Sequence, residues 1–387
     1  MGCKQFAAVV VSAFFLSASC AQNSSDSAED KPSPAQSVSS KPEVPAVKAA
    51  SPVRLPGELV PAPWLGEATL VVALGTREEA IIVAAGNGWI RWFSPEGVQL
   101  GERLGAGSPQ VLRTADLDGD GKDEVLFARG MGRGAADAKA VLEILHITKD
   151  AVEASSVPLP ATTRQQVAGV AALSGEHASL WVATFVSKFE VEVARYEKNS
   201  ESWEKAEDRG KHRVVADLAV LPDGTPVIAR MYGETADAPG GVYSLRKDKA
   251  PLAIPSTRGA RALTTLPGPG GQIAMADGWH KNYGRNAQGL VTVASRKAWG
   301  WTKLASVEVA KVYGFTQLRV GNPHKNAGPE IIASGNGPAV VVLPTHPELL
   351  YVLGDAIAAD AVAVDLRNDE RSEVVIAGPS PAIWNPR

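Results

Sequence analysis

One short stretch of the sequence concentrates carboxylates at a regular spacing. Asp116, Asp118 and Asp120 alternate along it, and Glu124 stands at the ninth position counted from Asp116. In a tight loop, alternate side chains can turn inward together, and converging carboxylates repel one another unless a cation lies between them. Several oxygen ligands in flexible geometry are typical of calcium sites. With the backbone carbonyl of Lys122 added, the stretch predicts one structural calcium site.

The acidic stretch has two other interpretations, an EF-hand loop and a solvated acidic turn. An EF-hand loop needs a glutamate at its twelfth position, and that position is Phe127 here. The flanking residues also have the pattern of strands rather than helices, so an EF-hand is excluded. A solvated acidic turn without a metal stays open as the alternative.

The elements that must position this loop belong to a repeat along the chain. A short run of β-branched and small residues recurs about every 45 residues, and repeats of this kind are typical of a β-propeller built from four-stranded blades. The recurring runs are Ala80–Gly86, Glu124–Gly130, Leu180–Thr184, Pro226–Arg230, Gln272–Gly278, Glu330–Gly335 and Glu373–Gly378. The sequence therefore predicts an all-β, seven-bladed propeller with antiparallel blades. Two β-sandwich domains are the alternative.

The last copy of the repeat is too short to form a whole blade. After Gly378 only one more strand can form, whereas a blade needs four. We therefore expect residues Val53–Pro63 to supply the missing strand and close the ring. Closure removes the open sheet edges that would otherwise pair with other chains.

The segment Asp116–Glu124, followed by Val-Leu-Phe-Ala, resembles the calcium loop of FG-GAP/VCBS repeats. These repeats form the propeller of integrin α subunits and of many bacterial surface proteins. The resemblance is specific over Val111–Arg129 and extends to the other blades only through their spacing. It implies that residues 53–387 form one propeller, with calcium loops between the first and second strands of the blades.

Two further copies of the loop are degraded. The segment Asp365–Glu373 has Arg367 at its third position, and Asn322–Glu330 keeps only the final glutamate. A guanidinium can take the place of a cation by pairing with carboxylates. We expect Arg367 to pair with Asp365 and Asp369, which leaves one metal site in the chain.

Loops that follow the second strands are the candidate ligand-binding sites. The blade 5 loop combines aromatic, amide and cationic groups, which suit a sugar or a peptide. The candidate ligand-binding residues in this and the neighbouring loops are Trp279, His280, Asn282, Tyr283, Arg285, Arg133 and Tyr232. Packing of Trp279 and Tyr283 between blades is the alternative.

The N-terminus has the pattern of an export signal. Lys4 precedes the apolar run Phe6–Leu16, which is too short to span a bilayer, and Cys20 follows small residues. This resembles a bacterial lipoprotein signal, with residues 1–19 removed and Cys20 lipidated; cleavage after Ser19 by ordinary signal peptidase is the alternative. Residues 20–52, rich in Ser, Ala and Pro, are expected to form a disordered tether.

Together these features predict a calcium-binding module anchored by lipid to the bacterial cell envelope, at the outer membrane. Its expected partner is an envelope protein or a glycan; the net charge of −3 gives no electrostatic basis for nucleic-acid binding. The sequence has no local catalytic motif, so we expect no enzyme. The alternative is a propeller-based hydrolase or lyase whose catalytic groups converge on the axis, with Glu234, Asp237, His280 and Arg285 as candidates.

Overall fold

A computed structural model gives the structure of the protein. It describes residues 51–76, 79–132, 136–161, 165–173, 179–200, 202–232, 239–256, 259–267, 271–277, 289–298, 300–309, 312, 314–324, 329–346, 350–367 and 371–387. Across these residues the chain forms twenty-nine β-strands and one 3-10 turn, Pro63–Leu65. Within the same residues, no helix has the length and apolar character needed to cross a membrane.

The strands are numbered in chain order and grouped in seven blades. The two N-terminal strands are β1 (Val53–Arg54) and β2 (Gly57–Pro61). Blades 1 to 3 contain β3 (Leu70–Leu74), β4 (Ile81–Gly86), β5 (Trp89–Phe93), β6 (Gln99–Leu104), β7 (Ser108–Ala115), β8 (Glu124–Gly130), β9 (Val141–Ile147), β10 (Val152–Val157), β11 (Val167–Leu173), β12 (Ser179–Phe185), β13 (Glu190–Lys198) and β14 (Trp203–Arg213). Blades 4 to 7 contain β15 (Val215–Val220), β16 (Pro226–Tyr232), β17 (Pro239–Ser244), β18 (Leu252–Ile254), β19 (Ala262–Leu266), β20 (Gln272–Ala276), β21 (Gly289–Lys297), β22 (Gly300–Val309), β23 (Phe315–Gly321), β24 (Glu330–Gly335), β25 (Gly337–Val342), β26 (Leu350–Ala358), β27 (Asp360–Val364), β28 (Glu373–Ala377) and β29 (Ala382–Pro386).

Each blade is a four-stranded antiparallel sheet, and in blades 1 to 6 its four strands follow one another in chain order. The first strand of every blade contacts the first strands of the neighbouring blades, so β3, β7, β11, β15, β19, β23 and β27 surround the axis. Each recurring run found in the sequence is the second strand of its blade. The predicted all-β, seven-bladed propeller of four-stranded antiparallel blades is confirmed.

The N-terminal segment closes the ring, as the short last repeat predicted. Strand β2 pairs antiparallel with β29 and completes blade 7, with Leu59 opposite Trp384. Strand β1 adds a short parallel pairing to the outer edge of blade 6, with Val53 opposite Tyr351. The two ends of the described part of the chain thus lie in adjacent sheets, and β2 forms the outer strand of blade 7.

The packing of the second strands on both faces explains why the recurring runs are continuously apolar instead of alternating between apolar and polar residues. In β8, Leu126 and Ala128 face a core shared with blade 3, whereas Val125 and Phe127 face a core shared with blade 1. A strand covered on both faces needs apolar residues at every position, as in other sheets buried on two sides. Burial of these strands holds neighbouring blades together and keeps the intervening loops in fixed positions.

Candidate metal centre and neighbouring clefts

The acidic loop connects the first and second strands of blade 2. Ala115 at the end of β7 pairs with Glu124 at the start of β8, so the residues between them form the loop of a hairpin. Asp116, Asp118 and Asp120 each place a carboxylate oxygen within 4.8 Å of the others. Three negative charges at such separations repel one another by about 1 kcal/mol per pair even in water. The structure thus brings together three of the residues predicted to bind calcium.

The loop is shaped by its own carboxylates. Asp116 accepts hydrogen bonds from the N–H groups of Gly119 at 2.7 Å and Gly121 at 3.1 Å. Asp118 and Asp120 each accept one from the N–H group two residues further on, at 3.1 and 2.7 Å. Gly119 and Gly121 have φ angles of +78° and +84°, which favour glycine. The turn is therefore tight enough to hold the three side chains on one side.

Glu124 lies outside the group of three carboxylates. Its Oε2 accepts a hydrogen bond from the N–H group of Leu117 at 2.8 Å, and its Oε1 lies 3.4 Å from Nδ1 of His146 on β9. The side chain is buried and fastens the loop to the blade. The roles of Glu124 and of the Lys122 carbonyl as calcium ligands stay predictions.

The donor set fits a hard divalent cation. Three carboxylates with exposed or half-buried oxygens suit calcium, which takes six to eight oxygen ligands and tolerates irregular geometry. Burial raises the pKa of the neighbouring Asp123, and the negative charge of Asp116 raises it further, although a bond from Thr114 opposes both effects. The loop therefore carries an excess of negative charge that a bound cation would neutralise.

A buried glutamate recurs at the ninth position of the two degraded loops. In blade 7, Glu373 accepts a hydrogen bond from the N–H group of Leu366 at 2.8 Å, as Glu124 does from Leu117. In blade 6, Glu330 accepts one from the N–H group of His324 at 3.1 Å, because the preceding residue is a proline and has no N–H. We call this buried glutamate and its backbone bond the glutamate latch.

The group facing each latch differs between blades. In blade 7 the Nε of Arg367 donates to Glu373, and its Nη2 donates to the carbonyl of Pro386 at 3.2 Å. The predicted partner Asp369 lies outside the described residues. In blade 6, Nδ1 of His324 is 3.8 Å from the fully buried Glu330, and burial raises the pKa of Glu330 to about 7 against the effect of its backbone bond. The pairing of Arg367 with Glu373 was not predicted from the sequence.

A cleft opens beside the acidic loop, between blades 2 and 3. It has a volume of about 360 Å³, and Asp118 and Leu117 of the loop form one wall. The other walls carry His146, Glu153 and Lys198. No local pattern in the sequence predicts this cleft, because its residues come from five separate segments.

The axis of the propeller holds a second cavity, of about 280 Å³. Two arginines that line it form ion pairs: Arg113 binds Asp217 at 2.7 and 2.8 Å, and Arg319 binds Asp360 at 2.6 and 3.3 Å. These four side chains also reach backbone groups of Val71, Leu112, Val170, Leu218, Leu263 and Ala361. All seven inner strands are thus tied together, and the two charged residues lining the described part of the cavity, Arg113 and Arg319, are both paired.

The remaining candidate residues cannot be placed. Trp279, His280, Asn282, Tyr283, Arg285 and Arg133 lie outside the described residues, as do Cys20 and residues 1–19, the predicted signal peptide. Glu234 and Asp237, the other candidates of the enzyme alternative, also lie outside them. Tyr232 ends strand β16, but its side chain is not described. Their roles stay predictions.

Comparisons with known proteins identify the fold but no family. No protein-family model and no curated protein matches the sequence. The structure is similar to a chain of the mitotic checkpoint complex, with a TM-score of 0.53 and 12% identity, over 94% of this chain and 99% of that chain. It is also similar to a chain in the complex of BBS1N with ARL6DN, soaked with lead, with a TM-score of 0.50 and 11% identity, over 87% of this chain and 94% of that chain. At such identities the likeness concerns the fold alone.

Proposed function

We propose that the protein is a calcium-binding β-propeller of the FG-GAP/VCBS type, anchored to the bacterial cell envelope, that acts as a ligand-binding or scaffold module. The propeller fold is consistent with a binding or scaffold role. The finer statement rests on one observation above all, the three converging carboxylates of the blade 2 loop. The residue pattern of the loop adds the resemblance to the FG-GAP/VCBS repeat.

Calcium at this loop would have a structural role. Asp116, Asp118 and Asp120 would hold the ion, and the latch of Glu124 would transmit the order of the loop to strand β8. A bound ion would offset the mutual repulsion of the three carboxylates. Because the unfolded chain does not hold these carboxylates together, calcium should bind the folded state and stabilise it by mass action. No general base or nucleophile is needed for this role.

The rigid ring suits a module that presents a surface to a partner. The ion pairs Arg113–Asp217 and Arg319–Asp360 join all seven inner strands, so loops on one face keep their relative positions. A partner can then be recognised by groups from several blades at once. The partner that we propose is an envelope protein or a glycan.

Attachment to the envelope is proposed from the sequence at Cys20. An acylated cysteine after a short apolar run would hold the propeller at the membrane by a tether. Incorporation of labelled palmitate in a bacterial host tests it: the wild type should be labelled and the Cys20→Ser variant should not. Labelling of the variant, or an unlabelled wild type, would contradict lipid anchoring.

Isothermal titration calorimetry with calcium tests the binding function directly. We expect one calcium ion per chain and a loss of binding in the double variant Asp116→Asn/Asp120→Asn. The matched control is Asp248→Asn, which changes an exposed acidic residue of blade 4. A wild type that binds no calcium, or a double variant that binds it as well as the control, would contradict the proposal.

A further inference from the structure

The cleft beside the acidic loop has the size and position of a ligand site. Its volume of about 360 Å³ lies at the lower end of the range for pockets that bind small molecules. Apolar side chains of Ile144 and the buried Trp203 form its floor, and polar side chains form its rim. The cleft is therefore a built concavity between two blades rather than a gap under a loop.

Strand pairing fixes the polar groups of the rim. His146 on β9 is directly opposite Glu153 on β10, so their side chains project on the same face of blade 2. Glu124 contacts Nδ1 of the same imidazole at 3.4 Å and orients the ring. Among the described residues, Nε2 of His146 has no partner. Three neighbouring strands thus present a row of polar groups to the cleft.

The charges of the rim argue against a charged ligand. An anion would meet the carboxylate of Glu153, and a cation would meet the ammonium group of Lys198 and the calcium ion proposed at Asp118. Hydrogen-bond acceptors and donors are nevertheless both present on opposite walls. The hydroxyl of Ser155 accepts a bond from Nε1 of Trp203 at 3.3 Å and keeps its own proton for donation. A neutral molecule with several hydroxyl groups matches this set.

One wall of the cleft belongs to the calcium loop. Asp118 is a member of the three-carboxylate group and also lines the cleft. Four of the six carboxylate oxygens of this group accept backbone hydrogen bonds, and Glu124 is engaged with Leu117 and His146. Calcium takes six to eight oxygen ligands, so a bound ion would have positions for oxygen atoms from outside the loop.

We propose that the cleft between blades 2 and 3 binds a neutral sugar residue, whose hydroxyl groups contact Glu153, Lys198 and His146 and add oxygen ligands to calcium held at Asp118. The proposal rests on the proposed calcium-binding function, since the ion forms part of one wall. It names a glycan as the partner class and assigns its site to this cleft.

Saturation-transfer NMR with the full chain tests the site. The probes are methyl α-mannopyranoside and methyl β-galactopyranoside as neutral sugars, with glucuronic acid as an anion and glucosamine as a cation. We expect at least one neutral probe to bind with a Kd in the millimolar range, and the charged probes to bind at least tenfold more weakly. No binding of either neutral probe, or tighter binding of a charged one, would overturn the proposal.

Variants locate the binding and separate it from folding. Glu153→Ala and Lys198→Ala should each raise the Kd for the neutral sugar at least tenfold while leaving the melting temperature close to that of the wild type. The control Glu102→Ala removes a carboxylate from the outer strand of blade 1 and should leave sugar binding unchanged. Equal binding by all three variants would place the sugar elsewhere and overturn the proposal.

Calcium calorimetry on the same samples distinguishes the two hypotheses. If calcium binds and the sugar does not, the cleft proposal fails and the calcium function stands. If calcium does not bind, the calcium function fails, and with it the metal contact in the cleft. If both bind, removal of calcium with EGTA should weaken sugar binding at least tenfold; unchanged binding would overturn the metal contact.

Discussion

The loops of blades 2 and 7 share one frame and differ in charge. Both end in a buried glutamate at the ninth position, Glu124 or Glu373, which accepts a hydrogen bond from the N–H group of the leucine at the second position. At the third position blade 2 has Asp118 and blade 7 has Arg367. The blade 7 loop therefore carries its own paired cation, whereas among the described residues no cationic side chain pairs with the three carboxylates of the blade 2 loop.

The comparison separates two roles that the repeat combines. The latch fastens the loop to the second strand, and it needs only a buried glutamate and a backbone donor. The proposed metal binding is a separate property that depends on the first, third and fifth positions. A loop without a metal can thus keep its fold if a guanidinium supplies the positive charge, as Arg367 does.

Blade 6 has an intermediate arrangement. His324 at its third position faces Glu330, whose Oε1 is buried without a hydrogen-bond partner. The imidazole stacks on Tyr351 with ring centroids 5.5 Å apart. Burial raises the pKa of this carboxyl group, and no permanent cation in the described part of the loop offsets it, so stability should depend on pH.

The largest expected effect comes from reversing the charge in blade 7. Arg367→Asp removes the cation from the buried Glu373 and places a second carboxylate beside it. Breaking a buried ion pair costs about 3 kcal/mol or more, and we expect the lower figure because Arg367 is partly exposed. Urea unfolding at pH 7.5 measures the loss.

The control for this charge reversal is Arg91→Asp in blade 1. Arg91 pairs with Glu102 at 3.1 Å, and both side chains are a third or more exposed. A surface pair contributes about 1 kcal/mol or less, so the control should lose far less stability. Equal losses in the two variants would contradict the role of Arg367 as an internal cation.

A smaller effect is expected from pH at blade 6. The pKa of Glu330 in the folded protein, about 7, lies above its ordinary value of 4.5, so the folded state binds the extra proton between these values. The stabilisation from that proton is present below pH 4.5 and is lost as the pH rises through 7. Relative to Glu330→Gln, the wild type should lose about 2.5 to 3 kcal/mol of unfolding free energy between pH 4.5 and 7.5.

Unfolding free energies measured across this pH range test the Glu330 prediction. The exposed Glu67→Gln variant is the control and should follow the wild type closely. Parallel pH profiles for the wild type and Glu330→Gln would show that Glu330 does not hold a proton in the folded state.

The smallest expected effect concerns the backbone of the blade 2 loop. Gly121 has a φ of +84°, and a Cβ there would meet no atom within 4 Å, so Gly121→Ala costs only backbone strain of about 1 kcal/mol. Gly210→Ala is a matched control, with a φ of +82° and equally open space. Both should lose similar stability, but only Gly121→Ala should weaken calcium binding. Equal calcium affinity in both variants would mean that the turn at Gly121 does not matter for the site.

The sequence predicted the fold well because its signal is local and repeated. A strand buried on both faces needs an unbroken apolar run, and seven such runs mark the second strands, from Ile81–Gly86 to Glu373–Ala377. The short last repeat also predicted the closure by residues 53–63, which Leu59 and Trp384 join across the sheet.

The contacts that join distant segments could not be predicted. The pair Arg113–Asp217 links residues 104 positions apart, and nothing in either local sequence signals the other. The latch role of Glu124 was missed because spacing alone cannot tell a metal ligand from an acceptor of a backbone N–H. Nothing in the sequence around His146 signals its neighbours Glu124 and Glu153, because they come from two other strands.

The most direct test of the account converts the blade 2 loop into the blade 7 type. Melting temperatures of the wild type and of Asp118→Arg are measured with and without saturating calcium. Calcium should raise the wild-type melting temperature by several degrees, since a ligand at a hundred times its Kd stabilises by about 2.7 kcal/mol. In Asp118→Arg, calcium should have no effect, and the melting temperature without calcium should be at least that of the wild type. A wild type that does not respond to calcium, or a variant that responds equally, would contradict calcium binding at Asp116, Asp118 and Asp120.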